Sequence, residues 1–561
     1  MTITKTDRKM RPWQAIYHQL GIQPLAFDDR PMAAHIARHA AERGDRPALQ
    51  YFDRLIDFST YDRLASQLAN ALTALGVSRG DVVGLHMPNI PQYPIALAAI
   101  SRLGAIGTGL SPLLSPPELA DQIADSGART VIALGDLLPA YAALGPALGD
   151  SLDTIVATGA AEMLGLPPGP LAAVEGVPVQ RWQDVMDGQA ETCAQAEVGP
   201  DDVFMIQYTG GTTGKPKGAE LTVRNLMHNV AQYTAADPIE IGREVTTSAF
   251  PFFHVAGLSQ CLFGAEAGGC LAVVPDPRNT AQICALMTAM PPTRIAAVPA
   301  LYDMLLADPA FAACDFSGLK TAVTGAAPIT TATSDALDAT IGAGKLVDVF
   351  GMTETSPCYL FHPRQARRPG AVGIPVPGAD VRIVDVETGT QTLPAGEPGE
   401  IICAGPQVMK GYLGLPEETA RALRRIDGER WMFSGDVGYM DEDGYVFLCD
   451  RAKDMLVVGG YKVFSVEVED KLAALDTIAA SAIVGAPDTA RPGNDVVHLF
   501  VQPVDPDADP EVMKQDILAF CRANMAPYKV PRDIHLIAAI PLTPVGKIDK
   551  KLLRARLTGQ S

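Results

Sequence analysis

Cysteines close enough to act together are missing from the 561-residue chain: of its nine, the nearest two, Cys261 and Cys270, stand nine positions apart. Without a CxxC element the common zinc, iron–sulfur and dithiol redox centres are excluded. The odd, unpatterned count leads us to expect reduced thiols and a cytoplasmic protein. Positive charge is scarce as well. Lys and Arg number 45 against 64 Asp and Glu, a net charge of −19, which argues against a general binder of nucleic acid or anionic membranes. Apolar runs long enough to cross a bilayer are also lacking. The uncharged stretches 82–101 and 245–265 are broken, the first by Pro88, Asn89, Pro91, Gln92 and Pro94, the second by Pro251, His254 and Gln260, so no integral membrane segment is expected. The opening MTITKTDRKM is polar and carries no secretory signal. What is present is 47% hydrophobic and 19% charged residues, the composition of a globular protein.

The pattern along the chain predicts alternating strands and helices. Ser59-x-x-Asp62 reads as a capping box, followed by Leu64, Leu68, Leu72 and Leu75 at helical spacing and closed by Gly76. The run VVGLHM (82–87), a helix-like YPIALAAISRLGA and TVIAL (130–134) then read as βαβ units with a parallel, helix-covered sheet. The rhythm returns at CLAVV (270–274) and LKTAVTGAAP (319–328). After about residue 370 short strands separated by turns (ADVRIVD, GEIICAG, GYVFLCD) predict a β-rich subdomain over about 370–450, built as a distorted barrel. A last mixed unit holds a helix from Val466 with Ser465 as N-cap and Glu467 and Glu469 in its first turn. It also holds strands near 481–485 and 496–503 and a helix over 511–524. The expected fold class is α/β: a large N-terminal domain of helix-covered sheets over 1–452 and a small α+β C-terminal domain over 453–561.

The most informative segment is 208–218, YTGGTTGKPKG. Four glycines, three threonines and two lysines in 11 residues make a loop rich in N–H donors that can approach phosphates closely. It follows the strand-like VFMIQY, hence the carboxyl edge of a sheet. Pro216 stands where a Walker A loop would need its Ser or Thr after Gly214-Lys215.

At this loop the chain begins to resemble the adenylate-forming superfamily of acyl-CoA synthetases, carrier-loading adenylation domains and luciferases. Further segments in the expected order are PFFHVAG (251–257), TGAAPI (324–329), VDVFGMTETSP (347–357), GPQVMKGYLGLPEET (405–419), WMFSGDVGYMDEDGYVFLCDRAKDMLVVGGYKVFSVEVE (431–469) and PLTPVGKIDKK (541–551). The resemblance implies residue roles. Thr209, Gly210, Gly211, Thr212, Thr213, Gly214 and Lys217 hold the phosphates of ATP, with Gly210 standing where many relatives have serine. Glu354, after Thr353, takes Mg²⁺, since a hard cation prefers carboxylate oxygen. Gly325, Ala326 and Ala327 with Phe350 sandwich the adenine, Asp348 reaches its edge, and Gly351 and Met352 complete that segment. Asp436 and Arg451 bind the ribose, because a carboxylate accepts from two hydroxyls. Lys453 is the hinge, Gly459 and Gly460 line the tunnel for coenzyme A, and Lys547 completes the adenylating site.

The implied reaction joins a carboxylic acid to CoA through acyl-AMP. No carrier domain follows Lys547, so CoA is the expected acceptor, with a stand-alone enzyme that loads a carrier protein as the second reading and a degenerate acyl or nucleotide sensor as a third. The expected acyl wall is His254, Leu258, Cys261, Ala300, Tyr302, Met352 and Pro357. No acidic residue follows PFFHVAG until Glu266, which disfavours amino acids, whose ammonium would be buried unpaired. GMTETSP looks most like medium- and long-chain fatty acyl-CoA ligases; aromatic and dicarboxylic acids stay open. A lysine acetyltransferase acting on Lys547 and a dimeric state are further expectations.

Overall fold

The computed structural model describes residues 11–557 except 24, 149–150, 168, 210–215, 328, 452–453, 460, 489–490, 492–493 and 543–547. Its contacts divide the chain into a larger unit within residues 1–210, 216–380 and 403–432 and a smaller one within 381–402 and 433–561.

The larger unit is built on two sheets. One runs Gly411–Tyr412, Lys217–Thr222, Val203–Thr209, Ile106–Gly109, Val82–His86, Thr130–Leu134, Thr154–Thr158 and Val179–Arg181. From Val203–Thr209 onward its pairs are parallel, while Lys217–Thr222 folds back antiparallel. Parallel strands covered on both faces read as continuous apolar runs, and the uncharged stretch 82–101 is one such case. It is the strand Val82–His86 followed by the helix Gln92–Leu103, of which all but the last residue are buried. The second sheet runs Ile374–Pro375, Cys358–Phe361, Leu346–Gly351, Thr321–Thr324, Arg294–Ala296, Val245–Ser248, Cys270–Val273, Pro47–Tyr51 and Arg54–Asp57. Here the stretch 245–265 splits likewise, into Val245–Ser248 and the helix Val255–Ala267. No described helix is long and apolar enough to cross a membrane.

Two predicted caps are displaced. The helix Phe58–Ala74 is capped by Asp57, whose carboxylate accepts from Thr60 N at 2.7 Å, and not by Ser59. The chain leaves the strand Arg54–Asp57 directly into the helix, so the acid ending the strand is the residue still in extended backbone. The helix expected from Val466 is Ser465–Leu472, with Phe464 in the cap position. Ser465 N–H instead donates to the Asp450 carboxylate and Ser465 Oγ accepts from Lys550 Nζ, so an acceptor and a donor from other elements hold this helix end. Only Glu467 lies in its first turn; Glu469 comes later, where it accepts from Ile483 N at 2.7 Å and pairs with Lys550 at 2.9 Å.

The β-rich stretch is shared among sheets. Ile374–Pro375 and Gly411–Tyr412 join the two large sheets. Asp380–Val384, Gly399–Ala404 and Glu429–Met440 lie side by side in a five-stranded sheet, with Val446–Arg451 also paired to the last. Beyond it, Ile478–Pro487, Asp495–Pro503 and Asp533–Leu536 form a three-stranded sheet. Ile483 packs with Leu472, Leu499 and Ile517 on one face, while Ala482, Val484 and Phe500 meet Leu553 on the other. The two-residue period of a strand thus buries both faces under helices.

Candidate active site

The phosphate-loop residues Gly210, Gly211, Thr212, Thr213 and Gly214 lie outside the described residues, as do Lys453, Gly460 and Lys547. Their frame is described. Thr209 ends one strand and pairs directly with Lys217, the first residue of the next. Both stand at the edge where the hairpin turns over.

The strand Leu346–Gly351 ends in a short 3₁₀ turn, Thr353–Thr355, and returns as Cys358–Phe361. Gly351 is required there, since a Cβ would sit 1.8 Å from Pro357 O. The turn buries Glu354 to 6% exposure. Its Oε1 accepts from the Tyr412 hydroxyl at 2.6 Å, and its backbone oxygen accepts from Met409 N at 2.9 Å. Lys217 Nζ lies 4.5 Å over the Tyr412 ring and donates to Glu418 Oε2 at 3.2 Å. Burial, and then the Glu354 charge, raises the Tyr412 phenol above its ordinary pKa, so it stays a donor. The Lys217 ammonium holds the Glu418 carboxyl below the usual range.

The residues expected around adenine come together on neighbouring parallel strands. Thr324 is the register partner of Asp348, so Gly325, Ala326 and Ala327 emerge beside Val349 and Phe350 at the carboxyl ends of both strands. A Cβ on Gly325 would approach Val349 O to 2.8 Å; Gly325 is buried, while Ala326, at a left-handed φ of +68°, and Ala327 are exposed at the strand end. Phe350 is half-buried and meets Tyr359 edge-on at 5.6 Å. Asp348 faces Arg367 at 3.4 Å; burial raises its carboxyl and Arg367 opposes the rise.

The expected acyl wall is not one surface. His254 caps the helix Val255–Ala267, accepting from Ala256 N at 3.2 Å. Leu258 and Cys261 are buried, and burial lifts the Cys261 thiol well above its ordinary pKa. Tyr302 is fully buried in a core cluster with Ile295, Leu305 and Leu337, and its hydroxyl donates to Val323 O at 2.9 Å. Ala300, two residues earlier, is by contrast exposed. Met352 and Pro357 border the Glu354 turn and are half-buried.

In the smaller unit Asp436 and Arg451 are register partners on paired antiparallel strands, and Asp436 is 9% exposed. Gly459 adopts φ +61° and donates its N–H to Asn494 Oδ1 at 2.7 Å. A Cβ there would meet nothing within 4 Å among the described residues, and the left-handed backbone by itself favours glycine.

The sequence profile of the AMP-binding enzyme matches residues 36–413, and that of the AMP-binding enzyme C-terminal domain matches 467–547. The chain belongs to the AMP-binding enzyme family. Among its relatives a long-chain-fatty-acid–CoA ligase of Bacillus subtilis is 32% identical over 570 residues, covering 98% of each chain. A feruloyl-CoA synthase of Amycolatopsis is also 32% identical, over 91% of this chain and 95% of its own. Among solved structures, an anthranilate CoA ligase in complex with anthranoyl-AMP superposes with a TM-score of 0.81 at 27% identity, covering 96% of this chain and 99% of its own. ATP-bound MatB from Rhodopseudomonas palustris gives 0.79 at 26% identity over 94% and 99%.

This AMP-binding enzyme joins two site residues that sequence reasoning left without a task, Tyr412 and Glu418. Both lie in GPQVMKGYLGLPEET, Tyr412 directly after Gly411 and Glu418 as the second of two glutamates after Pro416.

Proposed function

We propose that the chain is an ATP-dependent acyl-CoA synthetase. A carboxylate oxygen attacks the α-phosphorus of ATP and pyrophosphate leaves, giving acyl-AMP. The thiol of CoA then attacks the acyl carbon, its proton is lost, and AMP departs. The observation that carries this reading is the approach of a buried carboxylate, Glu354, and a phosphate-side cation, Lys217, to one tyrosine beside the Thr209–Lys217 turn. Attack of one anion on another needs charge neutralised at both.

Mg²⁺ arriving with ATP suits these residues, because that ion takes one or two carboxylates and fills its remaining positions with phosphate oxygens and water. Glu354 would hold it, and the ion would draw charge from the phosphates as pyrophosphate leaves. Lys217 with Thr209, Gly210, Gly211, Thr212, Thr213 and Gly214 binds the β- and γ-phosphates. Gly325, Ala326, Ala327, Phe350, Gly351 and Met352 border the adenine, Asp348 its edge, and Asp436 and Arg451 the ribose. Residues 453–561 act as the C-terminal domain turning about Lys453, with Lys547 serving adenylation and Gly459 and Gly460 the CoA path. Acetylation of Lys547 would erase its charge and switch off the first step.

The acid is a medium- or long-chain fatty acid. Support comes from the full-length similarity to long-chain-fatty-acid–CoA ligases and from the apolar Val255–Ala267 helix, whose first acidic residue, Glu266, has its carboxyl raised to about 7 by burial. The equal similarity to a feruloyl-CoA synthase favours an aromatic acid as the second reading. The reaction places the enzyme in the cytoplasm, where ATP and CoA are supplied. The test is AMP and acyl-CoA formation with ATP, Mg²⁺ and CoA across saturated, aromatic and dicarboxylic acids. Thioester with fatty acids of eight or more carbons supports the reading, and no AMP with any acid overturns it.

A further inference from the structure

Tyr412 has no task in the reaction as written, yet it touches both of the charged groups that the reaction requires. Its hydroxyl donates to Glu354 Oε1 at 2.6 Å, and its ring lies 4.5 Å from the Lys217 ammonium. Its own position is held from three sides. Tyr412 N donates to Thr419 Oγ1 at 2.9 Å, Leu413 N donates to Gly218 O at 2.8 Å, and Tyr412 pairs with Ala219 across the strands Gly411–Tyr412 and Lys217–Thr222. We propose that Tyr412 is a positioning residue for adenylation: its hydroxyl sets the Glu354 carboxylate for the divalent cation, and its ring sets the Lys217 ammonium for the phosphates. The inference rests on the acyl-CoA synthetase reading.

A carboxylate offers about four acceptor sites, so one phenol donor restricts its rotation and leaves capacity for a metal ion. A ligand already oriented loses less freedom when the ion arrives, which is why hydrogen bonds to metal ligands change metal affinity by about 10- to 100-fold. The aromatic face attracts an ammonium without neutralising it, so the charge remains available to a phosphate. Glu418, which also holds Lys217, has a second cation in Arg421 at 2.6 Å. Transfer of Lys217 to a phosphate therefore leaves Glu418 paired.

Tyr412→Phe keeps the ring and removes the hydroxyl; Tyr412→Leu removes both. Mn²⁺ titrated into the full-length protein with saturating ATP, with free Mn²⁺ read by electron paramagnetic resonance, measures the metal side. Calorimetric binding of ATP without metal measures the cation side. Tyr412→Phe should weaken Mn²⁺ binding about tenfold and leave metal-free ATP binding unchanged, while Tyr412→Leu weakens both. In a Glu354→Ala background Tyr412→Phe should have no effect on Mn²⁺. Unchanged Mn²⁺ binding in Tyr412→Phe, or equal losses in both titrations for that variant, would overturn the inference. If Tyr412→Leu melts early, the Tyr412→Phe arm decides alone. A wild-type protein that binds no ATP in either titration sinks the acyl-CoA synthetase reading itself; normal wild-type binding with an unaffected Tyr412→Phe sinks only the inference.

Discussion

At the scale of single residues, Glu354 is the group whose loss should be felt most in the first half-reaction. Its carboxylate is buried, hydrogen-bonded to Tyr412 and set on a 3₁₀ turn that Gly351 makes room for. On the proposed reading, in which Glu354 holds Mg²⁺, removing it leaves the departing pyrophosphate without its metal-side ligand, an electrostatic loss on the order of 10²- to 10³-fold in rate. Glu354→Ala should therefore depress pyrophosphate release by that factor and steepen its dependence on Mg²⁺. A variant that kept full rate at low Mg²⁺ would take Glu354 out of the site. Gly459 is a residue-scale case of another kind. At φ +61° an alanine is strained whatever the space around it, by about 1 kcal/mol. Gly459→Ala should lower the unfolding free energy by that amount in urea titration and, on the proposed CoA path, depress thioester formation more than acyl-AMP formation; equal rates of both steps would take Gly459 out of that path.

At the scale of elements, the packing of helix Val255–Ala267 on helix Met32–Arg43 encloses a carboxyl. Glu266 Oε2 finds no hydrogen-bond partner among the described residues, while its backbone oxygen faces His39 Nε2 at 3.1 Å and Arg38 Nη2 at 3.4 Å. Burial first, and then repulsion by Asp28, raises its carboxyl from 4.5 to about 7, against the pull of Arg38. Between those values the folded chain keeps a proton that the unfolded chain has released. This contribution is thus full below about pH 4.5 and lost as pH rises to about 7. Glu266→Gln should match the wild type near pH 4 and exceed it at pH 8, by on the order of 3 kcal/mol at most. Equal stabilities at pH 8 in chemical denaturation would refute the assignment.

The elements also show where sequence reasoning reached and where it stopped. Val82–His86, Thr130–Leu134 and Val203–Thr209 are legible because strands buried on both faces leave continuous apolar runs. Asp57 and Ser59 are both good caps, and only the point where the chain leaves its strand decides between them. Tyr302 and Leu258 carry the same apolar signal whether they line a pocket or fill a core, so hydropathy cannot separate the two. The contact of Tyr412 with Glu354 spans 58 positions and arises from a two-residue strand added to a sheet edge, a purely tertiary event.

At the scale of the whole molecule, the proposed function has the two half-reactions ask opposite things of one lysine, Lys547. Adenylation needs a cation beside two approaching anions, whereas the thioester step starts after pyrophosphate has gone. Lys547→Ala should abolish acyl-AMP formation from ATP and leave substantial conversion of supplied acyl-AMP and CoA into thioester. Equal loss of both steps in a folded variant would favour a single fixed site over a C-terminal domain that moves between them.

That motion is open to direct observation because of how the thiols are buried. Seven of the nine cysteines are buried, and only Cys193 and Cys449 are partly open to solvent, one falling in the larger unit and one in the smaller. Burial raises both of their pKa values, so labelling will be slow and is best driven at mildly alkaline pH. A maleimide dye on native protein should stop near two per chain, and urea should release the rest. Both thiols precede Lys453, so neither rides on residues 453–561; Cys449, four positions before the proposed hinge, instead gives the unmodified sequence an attachment point for an environment-sensitive dye whose emission can be followed during turnover.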